Sequence, residues 1–105
     1  MARCLQVVTM IDTKEHADAI GTKLLEKRIA ACVQTEGPVS SSYWWKSKME
    51  TSEEWRCIIK TTEEKYGEVE RTIRAFHPYE EPEIVGLPIT VGSASFLKWI
   101  EDSVK

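Results

Sequence analysis

Residues Ser40 to Thr62, SSSYWWKSKMETSEEWRCIIKTT, constrain the fold of this chain more than any other stretch. Two extended runs, one ending in Tyr43-Trp44-Trp45 and one carrying Trp55-Arg56-Cys57-Ile58-Ile59-Lys60, flank a polar middle from Lys46 to Glu54. β-Branched and aromatic residues on either side of a polar reversal predict a β-hairpin with its turn near Ser47. If the first arm starts at Cys32, about 14 residues at about 3.3 Å each make it on the order of 45 Å long. A compact domain of this length has a diameter of roughly 35 Å, so the arm overhangs. The hairpin holds three of the chain's four tryptophans. A ribbon of that kind exposes apolar surface and unpaired strand edges, which isolated domains avoid, and is marginal in water by itself. The expectation is self-association through Tyr43, Trp44, Trp45 and Trp55. The competing reading is two shorter strands, bent at Gly37-Pro38, with the aromatics folded onto the chain's own core.

The 105 residues suffice for one domain, 1–105, and are too few for two. A net charge of -3, from 14 Lys and Arg against 17 Asp and Glu, gives no long-range attraction to phosphate backbones and argues against nucleic acid as a partner. Cys4, Cys32 and Cys57 are an odd number without CxxC spacing, so they read as small buried hydrophobes rather than a disulfide framework or a zinc ribbon. The first residues hold one Arg and a short run broken by Gln6 and Thr9, which fits neither a signal peptide nor a membrane span. The expected location is the cytoplasm.

Along the chain, CLQVVTMI (Cys4 to Ile11) reads as a first strand. A helix follows over Lys14 to Ile29, capped by Asp12 with Glu15 or by Thr13, with Ala17, Ile20, Leu24 and the stem of Arg28 on one face and Gly21 allowing close packing. Ala30-Ala31-Cys32-Val33 opens the second strand, and Gly37-Pro38 implies a bulge or bend within it. Thr61 to Glu64 forms a capping box for a second helix with Tyr66, Val69, Ile73 and Phe76 inward, stopped at His77-Pro78. Ile84 to Val91 is a fourth strand, and Pro88 makes it an edge strand or a bulged one. A last helix starts at Ser93 or Ser95, with Phe96, Leu97, Ile100 and Val104 inward. The order predicts an α+β fold: a ferredoxin-like split βαβ sandwich with a four-stranded antiparallel sheet, a long hairpin between its second and third strands, and an extra C-terminal helix.

These residues also resemble the CutA family, the divalent-cation tolerance proteins. The resemblance is carried by Ala30-Ala31-Cys32-Val33, Ser42-Tyr43-Trp44-Trp45-Lys46, Glu54-Trp55 with Ile59-Lys60-Thr61-Thr62, His77-Pro78-Tyr79-Glu80 with Pro82-Glu83-Ile84, Leu87-Pro88-Ile89 and Leu97-x-Trp99-Ile100. It implies a subunit similar in fold to the PII signalling proteins, assembled into a homotrimer by edge-to-edge sheet pairing, and a link to tolerance of copper and other divalent cations. Ser47 stands where members usually carry glycine. Thr9 and Phe76 stand where some carry a cysteine and a second histidine, so of that ligand set His77 alone is present.

The chemistry on offer centres on His77, a nitrogen donor suited to copper, followed closely by Glu80, Glu81 and Glu83; His77 and Glu83 are the candidate metal ligands. The competing reading makes His77 a helix-ending residue, hydrogen-bonded locally and favoured in its charged form by the negative end of the helix. His16 reads as an exposed residue of the first turn. Lys60 and Thr62, at a strand-to-helix junction, suggest a second reading: a PII-like module holding a small anion in intersubunit clefts with Tyr79 and Glu80. Cys32 or Cys57 with His77, and Glu80 with Glu83, have the right types for catalysis but no spacing that selects them, so the chain reads as non-enzymatic.

Overall fold

The computed structural model describes residues 3–105. Its elements are β1 (Cys4–Ile11), α1 (Lys14–Glu26), β2 (Cys32–Trp45), β3 (Lys48–Thr62), a 3-10 turn at Glu63–Lys65, α2 (Tyr66–Phe76), β4 (Ile84–Pro88) and α3 (Ala94–Ser103). The strands form one antiparallel sheet in the order β2-β3-β1-β4. This is the expected ferredoxin-like order, with β4 at an edge where Pro88 removes no ladder bond.

Register decides what each strand residue does. Val7 lies opposite Ile59, Thr9 opposite Cys57 and Ile11 opposite Trp55, and this face carries the core with Ala17, Ile20 and Leu24 of α1 and Val69 and Ile73 of α2. A Cβ on Gly21 would lie 3.0 Å from a methyl of Val33, so glycine sets how closely α1 approaches β2. The alternate residues, Val8, Met10, Arg56 and Ile58, point to the opposite face. At the far end of that face Cys4 and Thr62 are buried, and Cys4 Sγ lies 3.7 Å from the carbonyl oxygen of Leu97 in α3. Among the described residues no helix is long and apolar enough to cross a membrane.

Several boundaries differ from expectation for identifiable reasons. α1 stops at Glu26 because Arg28 takes φ 60, with Arg28 N–H bonded to Leu25 O and Ile29 N–H to Leu24 O. That is a Schellman closure, and it turns Ile29 into the core and leaves Arg28 exposed. Thr13, not Asp12, caps α1, accepting the His16 N–H at 3.0 Å. The Thr61–Glu64 capping box does not form: Thr61 is still in the strand, facing the core, and its hydroxyl donates to Ile29 O at 2.6 Å. β4 ends at Pro88, after which Ile89 N–H reaches Cys4 O. In α3, Ser93 is the cap and Ile100 alone is fully buried, while Phe96 stacks on Trp99 at the surface.

The hairpin is longer on its return arm than the sequence suggests. Lys48 to Glu54, part of the polar middle between the two extended runs, is strand, paired residue for residue with β2 outside a bulge between Glu36 and Val39. The turn is only Lys46-Ser47, both with positive φ (48 and 66), the primed geometry that matches strand twist. This outer section covers no core, so its sequence shows no apolar alternation. Side-chain pairs across the strands tie it together instead: Ser42 with Thr51 at 3.1 Å and Tyr43 with Ser52 at 3.0 Å. The longest dimension is 44 Å, as the length of the arm required.

Candidate functional site

The segment after α2 crosses the end of β1 and meets the hairpin. Pro78 follows His77 directly and bars the helix from continuing. Two bonds from the imidazole then fix the path of the chain. His77 Nε2–H donates to Met10 O at 2.8 Å, and Nδ1 accepts the Tyr79 N–H at 3.2 Å. That pattern defines the neutral imidazole with its proton on Nε2. Burial also pushes the His77 pKa down, against smaller opposing effects from Met10 O, Asp12 and Glu54. His77 therefore ends the helix as a neutral hydrogen-bonding post, not as the charged residue that the helix terminus would favour.

Tyr79 is the next fixed point. Its ring meets that of His77 edge-on at 4.7 Å, and its hydroxyl donates to Glu54 Oε2 at 2.8 Å. Burial, then the neighbouring Glu54 carboxylate, raise the phenol's pKa so that it stays a donor. Glu54 is 6% exposed, and its other oxygen, Oε1, takes no hydrogen bond from any described residue.

These groups border a cleft of about 740 Å³ between the outer hairpin and the turn, lined by Met10, Ser41, Tyr43, Trp45, Glu54 and Tyr79 together with Glu80, Glu81 and Glu83. Register explains the wall, because Val39 lies opposite Glu54 and residues 41, 43 and 45 follow it on the same face. At the rim Lys46 Nζ lies 4.0 Å from Glu80 and 5.5 Å from the centre of the Trp45 ring. Four carboxylates against one ammonium make this an acidic, aromatic site.

The sequence-predicted residues divide accordingly. Tyr79, Glu80 and Glu83 come together at the cleft with Tyr43 and Trp45, and His77 stands behind it. Lys60 and Thr62 do not join them: Lys60 donates to Gln34 Oε1 at 2.8 Å, and Thr62 pairs with Cys4. Cys4 and Met10 lie six residue steps apart along β1, which is roughly 20 Å. Within one chain the residues of the expected intersubunit anion cleft thus lie at two ends of the sheet, and the Tyr79 end is acidic. Of the four expected interface aromatics, Tyr43, Trp44 and Trp45 are exposed, while Trp55 packs against the core and over Gly37. His16 is half-exposed with Nδ1 2.7 Å from Asp12. Cys57 is fully buried, which pushes its thiol up to about 11 and makes it a poor nucleophile. Glu54 and Lys46 are the residues missed. The alternation Glu54, Arg56, Ile58 against Trp55, Cys57, Ile59 carried the signal for Glu54.

Comparison with known proteins follows the same outline. The family model described as CutA1 divalent ion tolerance protein matches residues 5–103. The divalent-cation tolerance protein CutA of Archaeoglobus fulgidus is 42% identical over 91 residues, covering 87% of this chain and 88% of that protein. The Thermotoga maritima protein of the same description is 40% identical over 98 residues, covering 93% and 96%. The crystal structure of CutA1 from Oryza sativa superposes with a TM-score of 0.95 at 30% identity, covering 99% of this chain and 95% of that one.

Proposed function

The chain belongs to the CutA1 divalent ion tolerance family, a non-enzymatic one, and from that premise we propose that it works by binding divalent metal ions, copper among them, at the His77-to-Glu83 turn of a cytoplasmic homotrimer. The observation that carries this reading is that Glu80, Glu81 and Glu83 of one turn all line the same cleft.

Donor chemistry shapes the proposal. Among the described residues no group of three or more His, Cys, Asp or Glu is gathered as a metal site, and both His77 ring nitrogens already carry hydrogen bonds. One chain therefore does not fit a soft or borderline ion. It offers oxygen donors, Glu83 first, and His77 joins only by releasing the Tyr79 amide through Nδ1. Copper would need further donors from neighbouring copies. The exposed Tyr43, Trp44 and Trp45 and the unpaired outer edges of β2 and β4 support such an assembly.

Light scattering after size-exclusion chromatography, followed by calorimetric titration with copper, zinc and manganese, tests both parts. The expected results are a trimer at micromolar concentration, saturable heat, and weaker binding in Glu83→Gln. A monomer, or no heat with any of the three ions, overturns the proposal.

A further inference from the structure

No further inference is drawn: the strongest candidate, the pocket between β4 and the start of α2 bordered by Tyr66, Gly86 and Pro88, lies along the unpaired edge of β4, and nothing in the structure shows what covers it there.

Discussion

Replacing Tyr79 with phenylalanine removes one oxygen and tests how the site is held. Among the described residues the phenol makes the only side-chain hydrogen bond to the Glu54 carboxylate, at 2.8 Å, and Glu54 is 6% exposed. A hydrogen bond to a charged group is worth about 1.5–3 kcal/mol, and its loss leaves the carboxylate buried without a partner. Taking about 2 kcal/mol, and roughly 4–8 °C per kcal/mol for a chain of this size, Tyr79→Phe should melt about 10 °C below the parent. Calorimetry at one fixed protein concentration measures this, since association makes melting concentration-dependent. Glu54→Gln keeps an acceptor for the phenol and should cost under about 1 kcal/mol. Alkali supplies a second signature. The folded phenol's pKa lies above its ordinary value of 10.0, so above pH 10 the unfolded chain loses this proton while the folded chain keeps it, and stability falls as pH rises. Tyr79→Phe lacks that loss, so the gap between parent and variant should narrow above pH 10. Tyr66, raised in the same direction, is common to both proteins and cancels. A variant melting within about 2 °C of the parent at neutral pH, or a gap that widens in alkali, would refute the reasoning.

Three further expectations can be checked alongside. Ser47→Gly should stabilise by about 0.5–1 kcal/mol, because Ser47 holds φ 66 and glycine has no Cβ penalty there; Ser47→Ala should give no gain, and calorimetry of the pair separates backbone from side chain. Gly37→Ala should destabilise by more than about 1 kcal/mol, since its Cβ would stand 2.7 Å from the Trp55 ring; a shifted tryptophan emission maximum together with a lower denaturation midpoint checks it. Because burial lowers the folded-state pKa of His77 from 6.5, stability should be full above pH 6.5 and be lost as pH falls through the lowered value, as the unfolded chain takes up the proton first. Urea titrations between pH 7.5 and 4.5 should show a shallower acid loss in His77→Gln.

The sequence by itself determined the element order, the fit of β4 to a sheet edge and the length of the hairpin's first arm. Each follows from local chemistry: periodicity, the missing N–H of Pro88, and the rise per residue of an extended chain. It also placed His77, Tyr79, Glu80 and Glu83 in one turn, because neighbours along a chain stay neighbours in space. What it could not decide was which remote residues meet that turn. Glu54 reads as one more polar residue near a loop until pairing with Val39 puts it on a defined face, and Lys60 and Thr62 read as companions of Tyr79 until register sets them at the far end of the sheet. Lys60 and Glu54 lie six residues apart on one strand and share a face, so it is the full length of an extended chain that keeps them from sharing a site. Likewise His77 looks available as a ligand from its type alone, and only the carbonyl of Met10 and the amide of Tyr79, delivered by tertiary structure, make its ring a neutral structural post.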